Sequence, residues 1–465
     1  MTRTAEAATI IERPAPPAGR LSFPMLLARM VRNPIASWGR DFYEEPIIVY
    51  RDLGLDTVFV MDPELIQAVL LDDIDSFTKN PLYEDVLGAG GGEGLLIAEG
   101  EKWRWQRRLA APLFRAEEVA AHVPIFVAAS ERLLQRWQDG KPDTARAVDD
   151  DIAAATLEAL IETLLGSDLG DEDRRVVETA STAFLKGTVW KIAYGSVKLP
   201  TWTPHPHMVR MARAARAVRN VAAMALARRR ESGLLGTDLL GRLMTATDPA
   251  TGRAMSDALI VDNVVTYLLA GHETTAKALT WTLYVLALMP EWQDHARAEV
   301  VRVTQGRPVS VEQLSQLTLV EAIFLEAMRL YPPAPTLMRL ARRRTRLGGE
   351  EIKSGATVTI PIYVVHRHRR LWDDPLRFDP SRFSPEAKSE RHRCAYMPFG
   401  AGPRGCIGGT FAMLEGKAIL ATLLAGARFE LPPGKVPTPV ARITLHARPS
   451  IALKVSSPTA TSPGR

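Results

Sequence analysis

The sequence predicts a mainly α-helical protein with small β-sheets at its margin. Apolar residues recur at helical spacing through nearly all of residues 117–330. Prolines interrupt this pattern at Pro200, Pro204, Pro206 and Pro290. Strand signals concentrate in two short zones, 45–62 and 338–365. Since no internal repeat and no linker divides the chain, a single large domain is the simplest arrangement.

The chain is expected to consist of one folded domain between two disordered tails. Residues 1–20 are rich in proline, and residues 456–465 are rich in serine, threonine and proline. The intervening segment, 21–455, is long enough to bury a large core. We therefore predict a single domain over residues 21–455.

Composition excludes several classes of protein. The net charge of +5 over 465 residues gives little support to nucleic-acid binding. Two cysteines do not make a disulfide framework, and they fit a reducing compartment. No apolar stretch approaches the roughly 18 residues of a membrane span, and the N-terminus lacks the apolar segment of a signal peptide. We therefore expect a cytoplasmic protein without a membrane span.

The two β-rich zones differ in pattern. The first, EPIIVYRDLGLDTVFVMD, predicts two strands around Asp52-Leu53-Gly54 and a helix from about Pro63. The second runs from Met338 to Val365 and has turn signals at residues 348–349 and 354–355.

One predicted helix is apolar on nearly every face. It begins at Asp257, with Ser256 as its N-cap, and continues to Met289 before a proline. Such a helix belongs in the middle of a protein. Its centre nevertheless reads AGHETT over residues 270–275. A buried carboxylate is costly unless it is paired, and glycine costs about 1 kcal/mol relative to alanine inside a helix. The cluster therefore favours a functional site over packing alone.

Cys406 lies in a glycine-rich loop, FGAGPRGCIGG, directly before a helix predicted over residues 408–424. A helix N-terminus and free N–H groups stabilise a thiolate, and Arg404 provides a cation for an anionic group of a ligand. A zinc site is disfavoured because no second cysteine or close histidine pair completes a tetrahedron. A catalytic thiol stays open, although no obvious base is near. A lone thiolate points to a metal that brings its other ligands, as haem does. We interpret Cys394, which lacks flanking glycines, as structural.

Four motifs together resemble the cytochrome P-450 family of haem-thiolate monooxygenases. The loop matches the pattern FxxGxRxCxG, and residues 270–275 are similar to the segment A/G-G-x-E/D-T-T. Glu326 and Arg329 form an ExxR pair, and residues 378–383 resemble FxPxRF. The resemblance extends over about residues 40–450 in family order. It implies a cytochrome P-450 fold, with the long central helix over haem b (iron protoporphyrin IX).

The resemblance also implies which residues hold the haem. Cys406 is then the iron ligand, and Arg404, Arg339 and the Trp103–Arg107 pair are candidates for the propionates. The full set of implied cofactor-binding residues is Trp103, Arg107, Ala270, Arg339, Phe399, Gly400, Arg404, Ile407 and Gly408. The Trp103–Arg107 spacing is weak on its own, and surface packing is an equal alternative.

The ExxR pair carries little weight alone, since the chain contains four other such pairs, beginning with Glu101 and Arg104. In the family, the matching Glu-Arg-Arg set is a buried ion network that fixes the cysteine loop. The resemblance therefore implies a structural network of Glu326, Arg329 and Arg382.

Glu273 and Thr274 match the family's acid–alcohol pair, which delivers protons for oxygen activation with O2 as co-substrate. Thr274 is also expected to bond the Ala270 carbonyl four residues back and so loosen the helix. The resemblance assigns these two residues to catalysis.

Family analogy places a substrate pocket near Leu95, Leu96, Phe184, Leu337 and Met338. The roof includes the glycine-rich loop 83–97 and the aromatics Trp190 and Trp202, which favour a hydrophobic organic substrate. These aromatics are equally well explained as ordinary core.

No flavin or iron–sulfur domain follows residue 450, so we expect a monomer that receives NAD(P)H electrons from separate proteins, a ferredoxin (or flavodoxin) and its reductase. A basic rim around Lys102 and Arg104 would steer such a partner. The alternatives are an enzyme of the same fold that uses or rearranges a peroxide, and a non-enzymatic haem sensor or carrier. Neither typically needs the acid–alcohol pair.

Overall fold

The computed structural model describes residues 14–17, 25, 28–29, 32–52, 55–140, 144–166, 169–196, 202–434 and 436–458. Helices dominate, as predicted. In chain order they are α1 Pro63–Gln67, α2 Leu82–Gly91, α3 Gly100–Ala110, α4 Ala116–Ala120, α5 Val123–Gln138, α6 Val148–Leu165, α7 Asp171–Ser196, α8 Met208–Ser232, α9 Leu239–Thr245, α10 Asp257–Leu288, α11 Pro290–Thr304, α12 Val311–Leu314, α13 Thr318–Leu330, α14 Ile362–Val365, α15 Pro385–Glu390 and α16 Gly409–Gly426.

The strands are short and form four small sheets. They are β1 Ile47–Asp52, β2 Leu55–Val60, β3 Phe77–Lys79, β4 Ala145–Ala147, β5 Leu337–Ala341, β6 Thr345–Leu347, β7 Glu350–Ile352, β8 Thr357–Ile360, β9 Arg428–Glu430, β10 Thr438–Ala441, β11 Leu445–Arg448 and β12 Ala452–Ser456. The largest sheet has the order β1-β2-β8-β5-β3, and the others are β4-β12-β9 and the hairpins β6-β7 and β10-β11. A mainly helical fold with small sheets is therefore confirmed.

The first predicted β zone is confirmed. β1 and β2 pair antiparallel, with Ile47 opposite Val60 and Asp52 opposite Leu55. Leu53 and Gly54 of the predicted turn lie outside the described residues. The following helix begins at Pro63, where the Asp62 side chain accepts hydrogen bonds from two backbone N–H groups of the first turn.

The second predicted β zone is correct only as far as Ile360. Residues 362–365, which the predicted zone includes, form the helical turn α14 after Pro361. All four residues are buried, and a short buried apolar run does not distinguish strand from helix by pattern. The sequence analysis also missed β4 and the C-terminal strands β9 to β12.

The apolar helix forms as predicted and becomes α10, with one residue fewer at its end. The Ser256 side chain caps it by accepting from the Leu259 N–H at 3.3 Å. α10 contacts α6, α8, α13 and α16, so it lies in the middle of the helical body. Gly271 packs closely on α6: a Cβ there would lie 2.8 Å from Leu160 Cδ2, so the Leu160 side chain would have to shift.

The predicted tails and domain limits are only partly covered by the structure. Of the tails, residues 1–13, 18–20 and 459–465 lie outside the described residues, and Ser456 is the last residue of β12. Pro200 also lies outside them. The single domain over 21–455 stays a prediction.

Within the described part of the chain, one helix, α16, has the length and composition of a membrane span. More than half of it is buried against neighbouring elements, including α5, α11 and α13. The apolar composition of α16 is therefore that of a helix packed in the core.

Candidate active site

The cysteine loop is held by glycines in backbone conformations that other residues rarely adopt. Gly400 and Gly402 have φ angles of 71° and 73°. The Cys406 N–H donates to the Phe399 carbonyl at 2.8 Å, and the Gly405 N–H donates to the Gly402 carbonyl at 2.9 Å. The loop is thus a tight turn that presents Cys406 just before α16 begins at Gly409.

The Cys406 side chain is exposed, yet protein surrounds it. Both hold because the sulfur faces an internal space. Burial raises the pKa of the thiol, opposed by the Gly408 N–H and the Arg107 guanidinium, which lower it. The lowering of the thiol pKa that the helix N-terminus was expected to cause is therefore outweighed by burial. A bound metal would supply the missing stabilisation of the thiolate.

The centre of α10 borders an open space. Ala270 is exposed although the nine residues before it are all buried. The Thr274 hydroxyl donates to the Ala270 carbonyl at 2.9 Å and reaches the Gly271 carbonyl at 3.3 Å, as the sequence predicted. The Ala270 carbonyl thus accepts a hydrogen bond from a side chain at this exposed position, within a helix that continues unbroken. Ala270 and Cys406 are thus both exposed, although each lies among buried elements.

Glu273 contacts the C-terminal hairpin β10-β11. Its Oε1 lies 3.4 Å from Nε2 of His446, a residue that the sequence analysis did not identify. Burial, with Lys277 and Arg442 nearby, lowers the pKa of His446 to about 3, so the imidazole is neutral at pH 7. No local signal links two residues so distant in sequence, and only the fold brings them together.

Cations cluster around the cysteine loop. Arg404 pairs with Glu99 at 2.5 Å and stacks on the ring of Trp103, with 4.4 Å from Cζ to the ring centroid. Trp103 is buried, so the alternative of surface packing does not describe it. Arg107 donates to the Gly405 carbonyl at 2.7 Å. Arg339 is buried on β5, and burial lowers its pKa.

Lys79, on the neighbouring strand β3, completes this cluster and was missed. Its Nζ donates to the carbonyls of Leu95, Leu96 and Ala98 at 2.6–3.1 Å. Burial, followed by the charge of Arg404, lowers its pKa to about 7. Lys79 belongs to a three-residue strand without a motif, and only the pairing of Lys79 with Arg339 places it here.

The cation cluster fits the two carboxylates of a haem. Lys79, Arg107, Arg339 and Arg404 influence one another, and Glu99 is the anion that acts on three of them. Buried cations in excess of anions are costly, and anionic ligand groups would relieve that cost. Together with the exposed thiol and the exposed Ala270, the residues present fit haem b.

The predicted ion network is assembled and buried. Arg329 donates two hydrogen bonds to Glu326, at 2.6 and 2.7 Å, and neither side chain has any exposed surface. Arg382 Nε lies 3.6 Å from Glu326 Oε1. Arg329 also donates to the carbonyls of His366, Pro375 and Arg377. The structure thus brings the three predicted residues together.

A chain of contacts joins this network to the cysteine loop. The neutral ring of His366 accepts from the Met397 N–H at 2.9 Å and stacks on Tyr396, and burial holds its pKa at about 3. Tyr396 in turn donates to the Leu325 carbonyl at 2.8 Å. The network therefore fixes the segment that leads into the loop.

The predicted pocket residues separate into two groups. Leu96 is exposed, and Leu337 and Met338 are half-buried beside the loop, with Leu337 Cδ1 within 3.5 Å of the Cβ position at Gly400. Leu95 is buried and belongs to a small cluster with Ala98 and Trp103, against which Ile407 packs.

Phe184 is fully buried and does not border open space. Its ring lies within 3.0 Å of the Cβ position of Gly90, so it packs α7 on α2.

The predicted roof needs further correction. Of the glycine-rich loop predicted over residues 83–97, the part up to Gly91 belongs instead to helix α2, whose Gly90 lies close to Phe184 of α7 and Leu269 of α10. Trp202 is 77% exposed and Trp190 is 37% exposed, so neither is a core aromatic.

The predicted basic rim is largely neutralised. Lys102 pairs with Glu93, and Arg104 pairs with Glu101 and Asp75 at 2.6 and 3.2 Å. Arg391 stacks on the rings of Trp372 and Phe383. Cys394 is buried, as its structural interpretation requires.

Glu415 on α16 is a buried titratable group that the sequence analysis missed. It is 1% exposed and bonds Thr275 of α10, next to Thr274. Burial raises its pKa from 4.5 to about 8, so the carboxyl is neutral at pH 7.

We expect Glu415→Gln to remove part of the pH dependence of stability. The carboxyl ionises near pH 4.5 in the unfolded chain and near pH 8 in the folded one. The stability that the neutral Glu415 contributes to the folded state is therefore complete below pH 4.5 and is lost as the pH rises to 8. Glutamine stays neutral throughout. Urea unfolding across this range should show the wild type losing stability relative to the variant as pH rises. Parallel curves would contradict the assignment.

Comparison with known proteins identifies many relatives. The family profile described as Cytochrome P450 matches residues 14–454. The chain is 32% identical to a cyclooctat-9-en-7-ol 5-monooxygenase of Streptomyces melanosporofaciens, over 80% of each chain. It is also 32% identical to a cytokinin hydroxylase of Arabidopsis thaliana, over 78% of this chain and 71% of that one. A cytochrome P450 4B1 of Rattus norvegicus is similar to the same degree, over 78% and 74%.

A solved structure has the same fold. It is described as the haem domain of cytochrome P450DA, and it aligns with a TM-score of 0.84 at 25% identity. The alignment covers 97% of this chain and 98% of that one.

Proposed function

Because this chain belongs to the cytochrome P450 family and is a haem-dependent monooxygenase, we propose that it inserts one atom of O2 into a hydrophobic organic substrate, by hydroxylation or a related oxidation. The observation that carries this proposal is that Cys406, although protein surrounds it, and Ala270, in the centre of the buried helix α10, are both exposed. Cys406 would ligate the haem iron as a thiolate, and the four cations around the cysteine loop, Lys79, Arg107, Arg339 and Arg404, would hold the propionates.

Haem, when bound, supplies the iron and the electron-transfer chemistry of oxygen activation. This chain's residues orient it and manage protons. The Glu273 carboxyl, which lies beside His446, takes up and releases protons. The Thr274 hydroxyl holds a proton next to the exposed Ala270. The backbone N–H of Gly408 stabilises the Cys406 sulfur.

Thr274→Ala is expected to uncouple turnover while keeping haem and substrate binding. The variant loses the hydroxyl that bonds the Ala270 carbonyl, and general acid–base residues contribute roughly 10²–10⁴-fold. NAD(P)H consumption should continue while hydrogen peroxide replaces oxidised product. Thr282→Ala is the matched control, because that hydroxyl makes the same type of bond, to Ala278 at 2.7 Å, in a fully buried part of α10. Unchanged coupling in Thr274→Ala would remove Thr274 from the proton route.

Partners and location complete the proposal. We assign electron delivery to a ferredoxin or flavodoxin with its NAD(P)H reductase, acting on a monomeric cytoplasmic enzyme. The exposed Leu96 and the half-buried Leu337 and Met338 give the pocket apolar surface for a hydrophobic substrate.

Turnover with purified redox partners, compared with hydrogen peroxide alone, tests the proposal. We expect product only with the partners, NAD(P)H and O2. Efficient product formation from peroxide without partners would favour the peroxide-using alternative. Substrate candidates are best found by the spectral shift that accompanies loss of iron-bound water.

A further inference from the structure

The segment between α2 and α3 lies directly on the central helix α10. We call residues 92–98 of this segment the strap. A Cβ at Gly92 would lie 2.5 Å from Asp262 Cγ, and a Cβ at Gly94 would lie 2.8 Å from the Asp262 backbone oxygen. Gly92 also has a φ of 54°, which other residues rarely adopt. The glycines of the strap therefore permit its close contact with α10.

Side chains of α3 and α10 bond the backbone of the strap. Asn263 Oδ1 accepts from the Leu95 N–H at 3.0 Å, and Gln106 Nε2 donates to the Glu93 carbonyl at 3.0 Å. Asn263 Nδ2 donates to Gln106 Oε1 at 3.1 Å, and both side chains are fully buried. The Asp262 carboxylate accepts from the Glu93 N–H at 2.8 Å. A buried amide pair and a carboxylate thus hold three backbone groups of the strap.

Two further elements hold the strap. Arg219 of α8 pairs with Asp262 at 2.7 Å, and it donates to the Gly90 carbonyl at 3.1 Å, just before the strap begins. Lys79 of β3 donates to three carbonyls of the strap at 2.6–3.1 Å. A displacement of the strap would therefore break several hydrogen bonds at once, and a buried polar group left unpaired is costly.

The strap lies beside the cysteine loop. Leu95 packs with Trp103 in the small cluster that Ile407 contacts, and Ile407 directly follows Cys406 in the chain. Leu96, the next residue of the strap, is exposed and belongs to the apolar surface assigned to the pocket. The position of the strap therefore determines how close this apolar wall comes to the cysteine loop.

We propose that Asn263 and Gln106 are positioning residues that determine which substrates the enzyme admits, because they hold the strap as a fixed wall of the pocket. This inference rests on the proposed function, since it concerns the pocket of that same site. The two side chains act through the strap and not by touching the substrate, because both are fully buried. A wall that moves only when buried hydrogen bonds break rejects oversized ligands more strongly than a loose loop does. The pocket therefore selects its substrate by size.

Two azoles of different size test the proposal in the haem-loaded full-length protein. Imidazole is small, whereas N-tritylimidazole carries a bulky group of three phenyl rings. Asn263→Leu removes the acceptor of the Leu95 N–H and the partner of Gln106, so it should raise the affinity for N-tritylimidazole relative to imidazole about tenfold. Titration of the spectral shift on nitrogen ligation gives both dissociation constants. A ratio that stays the same or falls would overturn the proposal.

Arg219→Gln is a second variant, at a half-buried position, and it removes the ion pair with Asp262. It should shift the same ratio in the same direction by a smaller factor. Arg230→Gln is its matched control, because Arg230 also joins α8 to α10, through Asp257 at 2.8 Å. Gln293→Leu is the control for Asn263→Leu, because this fully buried amide bonds carbonyls of β9 and of the other end of α10. Control variants that shift the ratio as much would overturn the proposal.

Hydrogen–deuterium exchange adds a readout that needs no ligand. Peptides that cover residues 92–98 should exchange about tenfold faster in Asn263→Leu than in the wild type, and at the wild-type rate in Gln293→Leu. Equal exchange of these peptides in the two variants would mean that the amide pair does not hold the strap, and the inference would be wrong. Absence of any spectral shift with imidazole in the haem-loaded wild type would instead contradict the proposed function, and the inference would fall with it.

Discussion

Glu326→Ala is expected to lower the free energy of unfolding by about 3–5 kcal/mol and to prevent stable haem loading. The variant leaves the Arg329 guanidinium buried without a counter-charge, which is the costly way to break a buried pair. It also removes the acceptor of the Asp379 N–H and the anion beside Arg382. Urea unfolding and the ratio of haem to protein after gel filtration measure the two effects.

Glu101→Ala is the matched control, because Glu101 and Arg104 form an i,i+3 pair at the same distance of 2.6 Å but on an exposed helix face. Surface substitutions of this kind change stability by about 0.5 kcal/mol or less. If the two variants lost similar amounts of stability, the buried network would not be what fixes the cysteine loop.

Gly402→Ala is expected to be nearly as damaging. At a φ of 73° an alanine is strained by about 1–2 kcal/mol. Its Cβ would also lie 2.2 Å from the backbone oxygen of Leu70, which cannot rotate away. Overpacking typically adds about 1–3 kcal/mol. Because the shift falls on the loop that carries Cys406, we expect loss of haem retention together with a lower urea midpoint.

Gly349→Ala separates the two contributions. Gly349 also has a positive φ, 82°, but a Cβ there meets nothing within 4 Å. This variant should show the strain of about 1–2 kcal/mol without loss of haem. Equal haem retention in both variants would mean that the close approach of Gly402 to Leu70 does not determine the conformation of the cysteine loop.

The sequence predicted the elements whose signals are local. The cap at Ser256, the length of α10 and the β1-β2 hairpin all follow from spacing and turn chemistry within a few residues. The cysteine loop and the Glu326–Arg329 pair were found because their motifs are contiguous. The hydrogen bond from Thr274 to Ala270 was predictable for the same reason, since it spans one helical turn.

What the sequence did not predict depends on distant contacts. Lys79 joins the cation cluster only through strand pairing, and His446 meets Glu273 across the fold. Residues 362–365 were included in a β zone although they are helical, because a short buried apolar run fits a strand and a helix equally well. Pocket roof and ordinary core were equal explanations for Trp202, because hydrophobicity says nothing about exposure, and its 77% exposure excludes the core. Phe184 was predicted to line the pocket and is fully buried.

The central claim is that the Cys406 sulfur would bind the iron of a haem as a thiolate. The absorption spectrum of the haem-loaded protein, reduced and saturated with carbon monoxide, tests it most directly. We predict the strongly red-shifted Soret band of thiolate coordination in the wild type and in Cys394→Ala, and its loss in Cys406→Ser with haem still bound. A fully loaded wild type without this band, or a Cys406→Ser variant that keeps it, would contradict the account.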